Sequence, residues 1–205
     1  MRKTRNTKIR KPKKIIRILC EGDKSETNYF VGLFSSNPQN RQQYIFRAYK
    51  PKDNSPKGIV NAAKEEKRRA IEDKISPKDL FIWAVFDKDK HENIPEAYDI
   101  ARANGINIAF SSICFEFWIL LHYTKTMRAF RNCEELIRYI KNSHHPGYEK
   151  CSDHFQQLKT RIKNAVKNGE WIQKQVRVDL ERGKRIYDLN PYTNVHKLVS
   201  FLLNL

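Results

Sequence analysis

Two short apolar runs that each end in acidic residues constrain the fold of this chain more than any other feature. The first spans residues 15–20 and continues into Glu21, and the second spans residues 81–86 and continues into Asp87 and Asp89. Runs of this length and composition are typical of strands that are buried on both faces. Because ligands bind at the carboxyl ends of the strands in an open parallel sheet, we expect the three carboxylates to converge at one edge.

Three carboxylates that lie close together repel one another unless a cation lies between them. Hard divalent cations prefer oxygen ligands, and two acids spaced like Asp87 and Asp89 point the same way in extended backbone. The sequence therefore predicts a Mg²⁺ or Mn²⁺ site at Glu21, Asp87 and Asp89, with Gly22 leaving room beside Glu21. On its own, an Asp-x-Asp pair is equally typical of a polar turn after a strand.

The remaining pattern predicts an α/β fold. Strand-like runs at residues 44–49 and 106–110 join the first two. Helical segments separate the strands at about residues 25–33, 59–75 and 95–104. This alternation predicts a mostly parallel four-stranded sheet that lies between helices.

From residue 132 onward the sequence contains only helical patterns. We therefore expect three regions: a flexible basic tail at 1–14, an α/β core at 15–125, and a helical extension at 126–205 that packs on the core. The chain has 205 residues, which is the length of one ordinary domain with an appendage.

The charge of the chain indicates a polyanionic partner. The formal net charge is +17 at pH 7, and nucleic acid is the polyanion that such a field most commonly attracts. The first fourteen residues carry eight cations and no acid, so they form either a solvated tail or an arm that binds phosphates. These cations are Arg2, Lys3, Arg5, Lys8, Arg10, Lys11, Lys13 and Lys14.

The apolar runs are all much shorter than the roughly 20 residues that a membrane-spanning helix needs. The N-terminal charges are not followed by an apolar segment of signal-peptide length. We therefore expect no membrane association and a cytoplasmic location. Disulfides are rare in that compartment, so we expect all four cysteines to be reduced thiols, namely Cys20, Cys114, Cys133 and Cys151.

Several other residues are candidates for the chemistry. Glu116 lies in an apolar helical run, where a buried acid is costly unless it is paired, so it forms a salt bridge or lines the metal crevice. Lys88, Lys90 or His91 can support a phosphate or a leaving group, or lie further out at the surface. For His122 and His196 the sequence leaves a structural and a catalytic role open.

Four motifs carry a family resemblance. They lie, in this order, at residues 20–30 (CEGDKSETNYF), 86–91 (FDKDKH), 114–122 (CFEFWILLH) and 190–198 (NPYTNVHKL). Together they resemble the motifs of RloB-like proteins, and the resemblance extends over nearly the whole chain after the basic tail.

The resemblance implies a Toprim-like fold, a Rossmann-type sheet in which a Glu at one strand end and an Asp-x-Asp at another form the metal site. Carried over to this chain, Glu21, Asp87 and Asp89 are the metal-site acids, and Glu26 is the second acid of the opening motif. The resemblance also favours a catalytic role for Glu116. It further implies antiphage defence by abortive infection, beside a partner ATPase of the ABC or AAA type.

These observations together predict a Mg²⁺-dependent nuclease that hydrolyses phosphodiester bonds in RNA, such as tRNA, or in DNA. The chain has no Walker A motif, so ATP would be bound by the partner. One alternative is a non-catalytic nucleic-acid-binding or regulatory subunit with the same fold. Another is strand transfer or primer synthesis, which would require an attacking tyrosine or nucleoside triphosphates.

Overall fold

The computed structural model describes residues 13–88, 91 and 93–205. Within these residues the strands are β1 (Lys14–Cys20), β2 (Tyr44–Tyr49), β3 (Leu80–Asp87), β4 (Asn107–Ser112) and β5 (Tyr192–Thr193). The helices in the first half are α1 (Ser25–Ser35), α2 (Asn40–Gln43), α3 (Pro56–Glu72), α4 (Ile94–Asn104) and α5 (Glu116–Leu120). Those in the second half are α6 (Cys133–Ser143), α7 (Phe155–Leu158), α8 (Ile162–Gln175), α9 (Arg177–Glu181) and α10 (Val195–Leu203).

The strands form one sheet in the order β2-β1-β3-β4-β5. The first four strands are parallel, and β5 pairs antiparallel with β4. The α/β class with a mostly parallel sheet is confirmed, but the prediction of four strands is wrong. The fifth strand has only two residues, which is too short for an alternating pattern to be recognised in the sequence.

Side-chain hydrogen bonds extend the short pairing between β5 and β4. Asn194 follows β5, and its Oδ1 accepts the backbone N–H of Phe110 at 2.6 Å while its Nδ2 donates to the carbonyl of Ile108 at 3.2 Å. The Oγ1 of Thr193 is 2.9 Å from Ser111 Oγ. The amide of Asn194 thus takes the place of backbone groups that a longer strand would provide.

We expect Asn194→Ala to lower the free energy of unfolding by about 2 kcal/mol, because it leaves the buried N–H of Phe110 without its acceptor. Urea unfolding followed by circular dichroism measures this change. The control is Asn204→Ala at the exposed end of α10, where the lost bond to Ser200 is expected to cost less than about 0.5 kcal/mol. Equal losses in the two variants would contradict this role of Asn194.

Helices cover both faces of the sheet. On one face α3 and α4 pack against Leu19, Ala84 and Phe110. On the other face α1, α5, α6, α7, α8 and α10 share one core with Ile18 and Val85. Successive side chains along β1 and β3 therefore pack alternately into two cores, one on each face of the sheet. None of the helices in the described residues is long and apolar enough to cross a membrane.

Candidate functional site

The ends of β1 and β3 place the first two predicted metal-site acids together. Cys20 pairs with Val85, so both strands end at the same edge of the sheet. Glu21 follows β1, and its Oε2 accepts the backbone N–H of Asp87 at 3.1 Å. Asp89, the third predicted acid, lies outside the described residues.

Further hydrogen bonds orient these two carboxylates. Asp87 Oδ2 accepts the backbone N–H of Phe115, 3.3 Å away, just before α5. The Nε2–H of His91 donates to Glu21 Oε1 at 3.0 Å. The backbone N–H of Lys88 donates to the carbonyl of Ser111 at 3.0 Å, which directs the chain after β3. A carboxylate oxygen has two lone pairs, so these bonds still leave acceptor capacity on Glu21.

A cavity of about 190 Å³ lies beside these two acids, and acids outnumber lysines among the charged side chains of its lining. The charged residues that line it are Glu21, Asp23, Lys24, Glu26, Asp87, Glu116 and Lys150. Among the described residues, the lining does not include Lys88 or His91. His91 therefore acts on the cavity only through the carboxylate of Glu21.

Glu26 has a perturbed protonation equilibrium. It lies in the first turn of α1 and is only 7% exposed. Burial raises the pKa of its carboxyl to about 7, against backbone hydrogen bonds that lower it, and the charges of Glu116 and Glu21 raise it further. Gly22 makes room for this group, because a Cβ at that position would overlap the Glu26 carboxylate. Glu26 can therefore gain or lose a proton near neutral pH.

Glu116 is the most deeply buried acid of the cavity, with 1% of its surface exposed. Its Oε1 accepts a hydrogen bond from Tyr148 Oη at 3.3 Å, and Cys133 Sγ lies 3.3 Å from its Oε2. The partner that satisfies it is thus a tyrosine hydroxyl and not the basic side chain that a structural salt bridge would provide. Glu116 lines the same cavity as Glu21 and Asp87.

Lys150 brings a positive charge to this cavity. Burial lowers the pKa of its ammonium group, but Glu116 and Asp87 outweigh that effect and hold the pKa above its usual value. The next residue, Cys151, donates its backbone N–H to Ser25 Oγ at 3.2 Å, which ties this segment to α1. Sequence reasoning did not identify Tyr148 or Lys150, because they lie in an irregular segment without a periodic pattern.

A disulfide between Cys114 and Cys133 forms part of the cavity wall. The prediction of four reduced thiols is wrong for this pair: the fold brings the two Cα atoms to 5.9 Å although 19 residues separate them. The described residues contain one trio of metal-binding side chains within 4.8 Å, Cys114, Glu116 and Cys133, and the disulfide engages both of its sulfurs.

We expect the native chain to take up one maleimide without reductant, at the exposed thiol of Cys151. Cys20 is buried, and burial raises the pKa of its thiol well above the usual value, so it should react only after unfolding. Denaturation should therefore give two modified thiols, and denaturation with reductant should give four, as counted by intact-protein mass spectrometry. Four modified thiols in denaturant without reductant would show that Cys114 and Cys133 are not bonded.

The two histidines that the sequence left open lie in the core. His122 is hydrogen-bonded to Tyr29 Oη at 3.0 Å and to the carbonyl of Trp118 at 3.1 Å. His196 is 3.1 Å from Gln173 Oε1. Burial lowers the pKa of both imidazoles to about 4, and neither lines the cavity in the described part of the chain. These contacts favour a structural role for both residues.

The basic tail is almost entirely outside the described residues, which begin at Lys13. Lys13 is exposed, and its Nζ donates to the carbonyl of Arg41 at 2.8 Å. Lys14 is exposed at the start of β1. The other six tail cations, and with them most of the predicted phosphate-binding arm, lie outside the described residues.

The donor set of the cavity fits a hard divalent cation. The side chains that converge there offer carboxylate oxygens, which are the ligands that Mg²⁺ and Mn²⁺ prefer. Two of these acids, Glu21 and Asp87, are held in place by backbone N–H groups. The fold and this site together define an α/β protein with an acidic crevice at the carboxyl edge of a mostly parallel sheet.

The comparison with protein families agrees with the four motifs. The profile described as "RloB-like protein" matches residues 16–202. The chain therefore belongs to the RloB-like family. Searches of curated proteins and of solved structures found no match.

Proposed function

We propose that this chain is a metal-dependent nuclease with a Toprim-like fold that acts as an effector in antiphage defence. The observation that carries this proposal is the contrast between the cavity and the rest of the chain. Acids outnumber lysines in the cavity lining, whereas the chain as a whole has a net charge of +17. A nucleic acid drawn to the basic chain would meet a concentrated set of carboxylates at this edge of the sheet.

In this proposal Glu21 and Asp87, together with Asp89, hold Mg²⁺ or Mn²⁺. The bound ion supplies charge neutralisation at the phosphodiester and an activated water. The hydrogen bond from His91 keeps the Glu21 carboxylate directed toward the crevice, and the backbone of Phe115 does the same for Asp87.

Two further residues have the chemistry of proton transfer and charge stabilisation. Glu26, with a pKa of about 7, is a candidate general acid or base at neutral pH. Lys150 keeps its proton firmly and can stabilise negative charge on a phosphate oxygen. Glu116 stays oriented by Tyr148 and completes the acidic wall.

Metal removal tests the proposal directly. The purified chain, incubated with total tRNA, with single-stranded RNA or with DNA, is expected to cut at least one of them when Mg²⁺ or Mn²⁺ is present. Excess EDTA should abolish the cleavage, and restoring Mg²⁺ should recover it. Discrete products on a denaturing gel would identify the substrate class. Equal cleavage with and without EDTA would contradict the proposed metal chemistry.

The proposal includes a partner ATPase of the ABC or AAA type, so an inactive isolated chain is tested in cells. Growth is followed on induced expression with and without a co-expressed ATPase of this type, for wild type and for Asp87→Asn. Growth arrest by the wild type but not by Asp87→Asn would support the nuclease. If both forms behave alike at equal expression, the chain is instead a non-catalytic nucleic-acid-binding or regulatory subunit.

A further inference from the structure

A row of neighbouring aromatic rings, some stacked and some edge-to-face, runs from the surface of α6 to the acidic cavity. Neighbouring ring centroids along it are 4.6 to 6.0 Å apart. We call this set the aromatic row, and its members in spatial order are Tyr139, His144, Tyr123, His145, His154 and Tyr148. The row is continuous although its residues come from α6 and from the segments on either side of it.

The aromatic row ends at the candidate active site. Its last member, Tyr148, is fully buried and donates its hydroxyl hydrogen bond to Glu116 at 3.3 Å. The other five rings are only partly buried. Burial lowers the pKa of His144 and His145, so these imidazoles are neutral at pH 7 and contribute ring surface and not charge. The row therefore connects a partly exposed aromatic surface to an acid of the cavity.

Exposed cations lie over the aromatic row and beside it. The guanidinium carbon of Arg128 is 4.4 Å from the ring centroid of Tyr139, and that of Arg161 is 5.2 Å from Tyr123. Nearby, Lys125 Nζ lies 4.6 Å from the ring of Trp171, which is also partly buried. Each pair joins a positive charge for phosphates to a flat surface for bases.

The charge of this part of the chain complements a polyanion. Between residues 124 and 177 there are twelve Lys and Arg residues, all exposed, and five Asp and Glu residues. A patch that served only to complete the core would not need half-exposed rings beneath cations, and Leu or Ile would fill it better. Of these cations, Arg128 is also paired on the surface with Glu135, whose Oε1 lies 3.6 Å from its Nη2. Aromatic rings and guanidinium planes are instead the surfaces on which unstacked bases bind in single strands.

We propose that the aromatic row, with Arg128, Arg161 and the Lys125–Trp171 pair, binds single-stranded nucleic acid and leads it to the acidic cavity. This inference rests on the proposed nuclease function, because it names the form of the substrate that reaches the same site. A duplex would present only its phosphates to this surface, since its bases are already stacked and paired. Single strands should therefore bind more tightly than duplexes of the same length.

The test measures binding in EDTA, so that cleavage cannot interfere. Fluorescence anisotropy compares a labelled single strand of about 20 nucleotides with its duplex. The double variant Arg128→Ala/Arg161→Ala should lose at least about tenfold in affinity for the single strand. The matched control Lys64→Ala/Arg102→Ala removes the same charge from exposed positions on α3 and α4, and should lose less than about threefold.

Two more measurements separate recognition from bulk charge and from misfolding. The variant Arg128→Lys/Arg161→Lys keeps the charge but loses the planar groups, and it should weaken single-strand binding while leaving duplex binding unchanged. Binding of the single strand should also quench tryptophan fluorescence in the wild type but not in Trp171→Phe, since Trp118 is fully buried and Trp83 is 9% exposed.

The outcomes distinguish this inference from the proposed function. Equal affinity for single strand and duplex, or equal losses in the two alanine double variants, would overturn the role of the aromatic row. If the wild type cleaves with Mg²⁺ and the Arg128/Arg161 variants bind and cleave as it does, the nuclease proposal is supported and the role of the aromatic row is contradicted. If single strands bind through the row but no form of the chain cleaves, binding by the aromatic row is supported and the nuclease proposal is contradicted.

Discussion

Asp87→Asn is expected to reduce Mg²⁺-dependent cleavage by at least about 10²-fold without unfolding the chain. The loss of an outer partner of a metal ligand already costs about 10- to 100-fold, and this substitution removes the charge of a proposed ligand itself. The amide oxygen of asparagine can still accept the N–H of Phe115, so the backbone around the cavity should keep its position. The measurement is the initial cleavage rate at saturating Mg²⁺.

The matched control for this variant is Asp99→Asn, which makes the same chemical change on the exposed face of α4. Asp99 is paired with Arg102 on the surface, a kind of ion pair that contributes little. Its cleavage rate should stay within about twofold of wild type. If Asp87→Asn cleaves as fast as this control while both are folded, the acids of the cavity are structural and the regulatory-subunit hypothesis replaces the nuclease.

Glu26→Gln is expected to remove a large pH dependence of stability. The folded state raises the pKa of Glu26 from 4.5 to about 7, so between these pH values the folded chain keeps a proton that the unfolded chain has lost. The stabilisation is therefore complete below about pH 4.5 and disappears as pH rises to about 7, a loss of about 3 kcal/mol in the wild type. The amide of glutamine does not titrate, so the free energy of unfolding of Glu26→Gln does not fall in this way as the pH rises.

Urea unfolding in EDTA at about pH 4, 6 and 8 measures this difference. Relative to wild type, Glu26→Gln should gain about 3 kcal/mol between the lowest and highest pH. The control Glu170→Gln, on the exposed surface of α8, should follow the wild-type curve. Parallel curves for wild type and Glu26→Gln would show that the carboxyl of Glu26 titrates normally in the folded chain.

The proximity of Glu21 and Asp87 could be predicted from the sequence because parallel strands that are neighbours end at the same edge. Each strand is a continuous apolar run, and that pattern needs no long-range information. The two-residue strand β5 could not be predicted, since it depends on Thr193 and Asn194 bonding to β4 across more than 80 residues of chain. The local pattern of apolar and polar residues does not indicate such a contact.

The remaining parts of the site depend on contacts between distant segments. Nothing in the sequence around Glu116 indicates that its partner is Tyr148, 32 residues further on. The Cys114–Cys133 disulfide likewise follows from the position of α6 against α5, and the cytoplasmic expectation argued against it. Lys150 reaches the cavity only because its segment is bonded to the start of α1 at Ser25.

By itself, the sequence determined the α/β class, the strand-end acids Glu21 and Asp87, the positive charge and the membership in the RloB-like family. These follow from local patterns and composition, which can be recognised in each segment without knowledge of its neighbours in space. Only the tertiary structure decided how Glu26, Glu116 and Lys150 join one cavity and how the aromatic row reaches it. The physical reason is that protonation, burial and ring stacking depend on neighbours in space, and those neighbours are far apart in the chain.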